Sequence, residues 1–284
     1  MWNFLQTPDI WSPEDLLAEP LLHDAVVSLL RLLVIEQHHE ELSAYRYSEL
    51  PREGLGPPSA YTGMVWSAFR PSDDPQKYSY NVPDNMYLWG ALNRLTLLND
   101  AVWCDPYIQD TTSSLMQDVQ RGIEEHGIVE VEPGVRVYAY EVDGLGGVLT
   151  DFDDPNLPSL LSIPLLGYEI SDRDVYAVTR ARILSDRNPY YFEGSELKGL
   201  GSPHTARNFV WPLATAVEAL TAEGEGMAAR QAELMRDLLK MASGNGLAHE
   251  SVNVDNLGAI SRPEFGWANA MTVRASHYSF YVDR

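Results

Sequence analysis

The sequence predicts a mostly helical fold in which pairs of helices are arranged in a ring, with one small β-hairpin. Segments with helical periodicity alternate with loops about eight times along the chain. Aromatic and acidic residues gather on alternate loops, as expected if those loops meet at one end of the ring over a central pocket. No sequence repeat or low-complexity linker divides the chain, so we expect a single domain over residues 1–284.

The individual elements are predicted from caps, apolar periods and turn residues. A cap at Ser12, with Pro13 after it, begins a first helix whose apolar period continues to Ile35. Alternating apolar and polar residues around Pro133-Gly134 predict a β-hairpin over 128–142. The apolar run after Pro158 predicts a helix that reaches Gly167. Further helices are predicted over 86–98, 111–125, 172–185, 209–220, 226–241 and 263–273.

Charge and composition argue against several classes of partner. The chain has 41 acidic and 20 basic residues and a formal net charge of −21. This charge argues against a nucleic acid or an anionic membrane and favours a neutral ligand. Cys104 is the only cysteine, so we expect neither an intrachain disulfide nor a cysteine metal site. With no apolar run near the ~20 residues of a membrane span and no signal-peptide pattern, a cytoplasmic location is favoured.

The stretch from 62 to 74, TGMVWSAFRPSDD, carries the densest set of candidate site residues. It places Trp66, Arg70 and the adjacent carboxylates Asp73 and Asp74 on a loop bounded by prolines. An aromatic ring can stack on the C–H face of a sugar, whose hydroxyls pair with carboxylate and guanidinium groups. We therefore predict a sugar site here. The alternative is an Arg–Asp pair that holds a loop beside buried aromatic residues.

A cluster of histidine and glutamate residues, 38–41, follows the first predicted helix. Such residues could bind a metal ion, but neighbouring histidines on a helix point to different sides. We therefore expect a polar helix end, and no metal or cofactor.

Seven spaced motifs resemble glycoside hydrolase family 125, a family of exo-α-1,6-mannosidases. The match runs in one order from about Glu36 to Asn269. The resemblance implies an (α/α)6 barrel and an inverting, metal-independent mechanism acting on a mannose-containing oligosaccharide. The motifs are TGMVWSAFRPSDD (62–74), YAYEVDGLG (138–146), NLPSLLSIPLLGY (156–168), NPYYFEG (188–194), GLGSPHT (199–205), HES (249–251) and RPEFGWAN (262–269).

Carried over to this sequence, the resemblance implies a pair of catalytic carboxyl groups. The general base falls on Glu250, and the general acid falls on Asp73 or Asp74. We prefer Asp73 by analogy with other (α/α)6 glycosidases, which leaves Asp74 to hold a sugar hydroxyl. We expect these carboxyls to face one pocket lined by Trp66, Tyr80, Tyr140 and His204. The full set expected to contact the sugar is Trp66, Arg70, Tyr80, Asn81, Tyr140, Glu141, Asp143, Ser202, His204 and His249.

The chain also departs from the family pattern. Family members are longer, and their N-terminal part carries a sugar-binding motif rich in Trp, Arg and Asp that has no counterpart before Trp66. Glu264 stands where an aromatic residue is expected. We therefore expect missing N-terminal barrel helices, exposed apolar faces on the helices at 16–35 and 261–273, and weak activity. The alternative to an active mannosidase is an impaired remnant that binds mannosides or needs the missing part. Another (α/α)6 enzyme, such as a glucosidase or a uronic-acid enzyme, fits the motifs less well.

Overall fold

The computed structural model describes residues 19–224, 226–242 and 244–282. Helices dominate it, as predicted, and small sheets lie between them. The predicted start of the first helix at Ser12 lies outside the described residues. The helices are α1 (Pro20–Gln37), α2 (His39–Leu42), α3 (Val82–Ala101), α4 (Pro106–Gly122), α5 (Arg173–Ile183), α6 (Pro212–Leu220), α7 (Met227–Met241) and α8 (Gly266–Val282).

The predicted β-hairpin is confirmed, but it is not the only β-structure among the described residues. It consists of β2 and β3, which pair antiparallel on either side of Pro133-Gly134. Three further small sheets have the strand orders β1-β4-β5, β8-β9-β10 and β6-β7. The strands are β1 (Tyr80–Asn81), β2 (Ile128–Glu132), β3 (Val135–Tyr138), β4 (Glu141–Val142), β5 (Val148–Leu149), β6 (Tyr191–Glu193), β7 (Lys198–Leu200), β8 (Phe209–Val210), β9 (Ser251–Asn253) and β10 (Ile260–Ser261).

The prediction of a helix after Pro158 is wrong. Only a short 3-10 turn, Ile163–Leu165, forms in this stretch. The buried carboxylate of Asp153 accepts the backbone N–H groups of Leu160 and Leu161 at 2.8 and 2.9 Å. These donors are therefore held by a side chain, which competes with helical hydrogen bonding.

The starts of α3 and α4 are fixed by side-chain caps. Asn81 accepts the backbone N–H of Asp84 at 2.9 Å and begins α3. Asp105 accepts the N–H of Tyr107 at 2.7 Å and begins α4. Such caps satisfy helix donors that have no partner within the helix. Both helices therefore begin earlier than their apolar periodicity predicts.

The core joins the helices to the small sheets. One large cluster runs through α3, α6, α7 and α8 and includes the buried aromatic residues Tyr138 and Trp211. A smaller cluster packs α1 against α3 and α4 through Leu30, Leu92 and Leu115. The opposite face of α1 carries exposed apolar side chains, with Leu21 73% exposed and Leu32 51% exposed. None of the described helices is long and apolar enough to cross a membrane.

Replacing Gly90 with alanine is expected to destabilise the protein, although alanine normally favours a helix interior by about 1 kcal/mol. A Cβ atom at this position of α3 would lie 2.1 Å from the carbonyl oxygen of Leu166. We expect Gly90→Ala to lower the free energy of unfolding by about 1–3 kcal/mol, measured by urea denaturation. Gly266→Ala is the control, because a Cβ there meets nothing within 4 Å. Equal stabilities of the two variants would contradict the prediction.

Candidate active site

A cavity of about 190 Å³ brings together loops that are far apart in the sequence. Both Asp73 and Glu250 line it, as expected for a pair of residues that act on one bond. Its wall combines acidic, basic and aromatic side chains, which is a chemistry suited to a polyhydroxylated ring. The lining residues are Pro71, Ser72, Asp73, Asn156, His204, Trp211, Glu250, Arg262, Phe265 and Trp267.

Asp73 lies at the tip of a tight loop. Its backbone N–H donates to the carbonyl of Arg70 at 2.9 Å, and the N–H of Arg70 donates to the carbonyl of Asp74 at 2.9 Å. The φ angle of Asp73 is 67°, in the left-handed region that aspartate and asparagine tolerate better than most residues. The loop therefore holds Asp73 at the cavity wall in a backbone conformation that limits its replacement.

The adjacent aspartate has a different partner. One Asp74 carboxylate oxygen lies 3.1 Å from Nδ1 of His204, and both side chains are about one-third exposed. Asp74 is absent from the cavity wall, whereas His204 is part of it. The two carboxylates therefore have different environments. Asp73 lines the cavity, whereas Asp74 is held by His204.

Glu250 is buried at the end of the β9–β10 pair. The N–H of Glu250 is shared between the carbonyls of Ser261 and Arg262 at 3.3 and 3.2 Å. One carboxylate oxygen accepts the hydroxyl of Ser261 at 3.0 Å, and the other lies 3.3 Å from the guanidinium of Arg262. His249 instead donates from Nδ1 to the carbonyl of Pro263 at 2.5 Å. It supports the loop and does not line the cavity.

Arg70 and Glu141 form an ion pair in the interior. The guanidinium lies 2.5 Å from the carboxylate, and the Glu141 side chain is fully buried. Glu141 also accepts the N–H of Lys77 at 2.9 Å, while the guanidinium lies 4.7 Å from the ring centroid of Phe152. Both residues were expected to contact sugar, but they satisfy each other and do not reach the cavity. The predicted alternative was an Arg–Asp pair beside buried aromatic residues. Arg70 does form an ion pair beside aromatic rings, but its partner is Glu141 and not an aspartate of the same loop.

Trp66, Tyr80 and Tyr140 were also predicted to line the pocket, but the structure does not place them along this cavity. All three are buried in the core, because aromatic rings on these loops pack inward. Trp66 stacks face to face on His39, with ring centroids 3.5 Å apart and planes at 5°.

Three other predicted contacts hold loops in place. Asn81 caps α3 through its side chain. Asp143 accepts the N–H groups of Leu145 and Gly147 at 2.7 and 2.8 Å and so closes a turn. The hydroxyl of Ser202 donates to Asp154 at 3.2 Å. None of these residues lines the cavity.

Asp154 is buried behind the cavity wall and was not predicted as a site residue from the sequence. It accepts the backbone N–H and the side-chain amide of Asn156 at 3.0 and 2.9 Å. Through Ser202, whose hydroxyl also accepts the N–H of His204 at 3.1 Å, it connects two separate lining loops. A sequence signal exists, since Asp153-Asp154-Pro155 repeats the order of Asp73-Asp74-Pro75.

Other lining residues were also missed. Trp211 lies within the helix predicted over 209–220, and Arg262, Phe265 and Trp267 belong to the resemblance motif at 262–269 without being predicted as site residues. An aromatic residue gives the same sequence signal whether it packs in a core or lines a cavity. The resemblance motif at 262–269 was therefore the best available guide to this side of the site.

The cluster at 38–41 contains a histidine with two hydrogen-bond partners. The ring nitrogens of His39 lie 2.6 Å from the carboxylate of Glu36 and 2.8 Å from the carbonyl of Leu55. Within residues 19–224, 226–242 and 244–282, no group of three or more His, Cys, Asp or Glu side chains could hold a metal ion.

The stability of the chain is expected to fall as the pH rises from about 4 to about 8. Burial raises the pKa of Asp153 to about 8, although hydrogen bonds from Leu161 and Leu160 favour the ionised form. Burial, with the charges of Glu141 and Asp154, also raises the pKa of Asp84 to about 7. Between the unfolded and folded pKa values, the unfolded chain releases a proton that the folded chain keeps. Each group then lowers the free energy of unfolding by about 1.4 kcal/mol per pH unit.

Asp153→Asn tests this pH dependence. Urea unfolding between pH 5 and pH 7 should give a shallower decline in this variant, by about 1.4 kcal/mol per pH unit, than in the unaltered chain. Asp110→Asn, at an exposed position, is the matched control. A decline as steep in Asp153→Asn as in the control would contradict the assignment to Asp153.

Comparisons with known proteins agree on one family. The family model described as "Metal-independent alpha-mannosidase (GH125)" matches residues 30–275. The "Meiotically up-regulated gene 157 protein" of Schizosaccharomyces pombe is 40% identical over 221 residues, which is 76% of this chain and 42% of that protein.

The fold also matches a solved structure from this family. That structure is a Streptococcus pneumoniae metal-independent α-mannosidase in a non-productive complex with α-1,6-mannobiose. The match has a TM-score of 0.86 and 37% identity and covers 93% of this chain and 63% of that one. This chain thus spans less than two-thirds of either relative. The family match over most of its length shows that the chain belongs to glycoside hydrolase family 125, the metal-independent α-mannosidases.

Proposed function

We propose that this chain is an exo-acting α-mannosidase that hydrolyses terminal α-1,6-linked mannose with inversion. The observation that carries the proposal is the shared cavity of Asp73 and Glu250. The similar pneumococcal structure contains α-1,6-mannobiose, which supports a mannose-containing oligosaccharide as ligand. The net charge of −21 also favours a neutral substrate.

The proposed roles follow from inversion at the anomeric carbon. Asp73, as the acid, donates a proton to the glycosidic oxygen while the bond from this oxygen to the anomeric carbon breaks. Glu250, as the base, removes a proton from a water molecule that attacks the carbon from the opposite face. This mechanism needs carboxyl groups about 6.5–9.5 Å apart, with room for the water. Asp73 is favoured over Asp74 as the acid, because Asp74 is paired with His204 outside the cavity wall.

The proposal also includes the architecture around the site. We infer that the helices belong to an (α/α)6 barrel whose loops meet over this cavity in one domain. The close similarity to the pneumococcal structure supports this arrangement. The longer relatives have additional chain beyond the match, which leaves a mannoside-binding remnant as the alternative function.

Hydrolysis of α-1,6-mannobiose tests the proposal. Proton NMR of the reaction mixture should show β-mannose as the first product from an α-linked substrate, because inversion changes the anomeric configuration. Activity should survive EDTA, and α-1,2- and α-1,3-mannobiose should react more slowly. Binding of mannobiose without hydrolysis would favour the mannoside-binding remnant. If α-mannose forms first, inversion is refuted. If EDTA abolishes the activity and a metal ion restores it, the two-carboxylate mechanism is refuted.

A further inference from the structure

Arg262 lies opposite Glu250 at the end of a strand pair. In the antiparallel pair β9–β10, Ser261 is in register with Ser251. The next position of each strand therefore brings Arg262 beside Glu250, where cross-strand side chains are close enough to interact. The shared hydrogen bond from the N–H of Glu250 to the carbonyls of Ser261 and Arg262 extends the pairing to this position.

The Arg262 side chain contacts Glu250 and one wall of the cavity. Its guanidinium lies 3.3 Å from one oxygen of the Glu250 carboxylate and 5.5 Å from the ring centroid of Phe265. All three residues line the cavity. The other oxygen of Glu250 accepts the hydroxyl of Ser261 at 3.0 Å. Two consecutive residues, Ser261 and Arg262, thus hold the two oxygens of the Glu250 carboxylate.

The backbone of Arg262 is in an uncommon conformation for this residue. Its φ angle is 38°, in the region that glycine adopts most easily. Such conformations persist where surrounding contacts hold them, and they cluster at active sites. The side chain is 58% exposed, while that of Glu250 is only 8% exposed. The pair therefore joins a buried carboxylate to a cation at the open side of the cavity.

We propose that Arg262 is a positioning residue for Glu250, an inference that rests on the proposed function. Together with Ser261 it fixes the rotation of the carboxylate, so that the remaining lone pair of the arginine-bound oxygen faces the attacking water. Arg262 itself neither gives nor takes a proton. A base displaced by ~1 Å can lose on the order of 100-fold in rate.

Kinetics of three variants test this role. Arg262→Ala should lower kcat on α-1,6-mannobiose by about 10- to 100-fold with little change in KM. Arg262→Lys keeps the charge but loses the planar guanidinium, so it should recover only part of the rate. Arg187→Ala is the matched control. It removes an arginine that is 50% exposed and lies 3.0 Å from Glu132, in an ion pair that does not line the cavity.

A substrate with an activated leaving group separates the roles of base and acid. The loss in Arg262→Ala should be as large on α-mannosyl fluoride as on mannobiose, because fluoride departs with little help from an acid while water still needs a base. A raised KM with unchanged kcat would overturn the inference and make Arg262 a sugar contact. Kinetics equal to those of Arg187→Ala, or a loss explained by a lowered melting temperature, would overturn it too. No turnover by the unaltered chain would refute the proposed function first, and this inference with it.

Discussion

Glu250→Gln is expected to lower kcat on α-1,6-mannobiose by on the order of 10²- to 10⁴-fold. Glutamine keeps the size of the side chain and can still accept the hydroxyl of Ser261, which now donates to Glu250 at 3.0 Å. It cannot take a proton from water. The fold should therefore survive while the attacking water is no longer activated. Steady-state kinetics on mannobiose and a thermal unfolding curve together measure both effects.

Asp73→Asn and Asp74→Asn complete this test, because they distinguish the two candidates for the acid. Asparagine also tolerates the left-handed backbone at position 73, where φ is 67°. If Asp73 is the acid, its variant should lose most of its activity on mannobiose and much less on α-mannosyl fluoride. Asp74→Asn should show a smaller loss that is similar on both substrates. The reverse pattern would assign the acid to Asp74, and full activity of Glu250→Gln would exclude Glu250 as the base.

Arg70→Met is expected to lower the free energy of unfolding by about 3–5 kcal/mol. The substitution leaves the fully buried carboxylate of Glu141 without the guanidinium that now lies 2.5 Å away. The N–H groups of Lys77 and Tyr78 still donate to it at 2.9 and 3.1 Å, but they supply no full opposite charge. Urea denaturation measures the loss.

A surface ion pair supplies the control for this prediction. Arg136 pairs with Asp172, and its side chain is 54% exposed, so Arg136→Ala should cost less than about 1 kcal/mol. Replacing both interior partners, as in Arg70→Met with Glu141→Leu, should recover part of the loss, because no unpaired charge remains. Similar losses in Arg70→Met and Arg136→Ala would show that the interior pair does not have the expected effect.

The sequence predicts the local structure of this chain better than its long-range pairs. Apolar periodicity locates α5 and α7 closely, and the Pro133-Gly134 turn locates the β2–β3 hairpin. Apolar periodicity fails as a guide after Pro158. There the side chain of Asp153 accepts backbone N–H groups of an apolar segment that otherwise has the periodicity of a helix.

In the candidate site too, local motifs could be recognised from the sequence but long-range pairs could not. Asp73 and Glu250 could be selected because each stands in a short motif. The partnership of Arg70 with Glu141 spans 71 positions, and no local pattern indicates it. Aromatic residues gave the poorest guidance, because Trp66 and Trp211 both lie outside the helices and strands but only Trp211 lines the cavity.

The placement of the tryptophans makes the cavity observable by fluorescence. Trp211 and Trp267 line it, whereas Trp66 and Trp89 lie in the core away from it. A sugar that enters the cavity displaces water from the ring of Trp267, which is 37% exposed, and contacts the edge of the buried ring of Trp211. Intrinsic emission can therefore report occupancy in any variant, including those that no longer turn over substrate. Trp267→Phe would show how much of the signal comes from the more exposed ring.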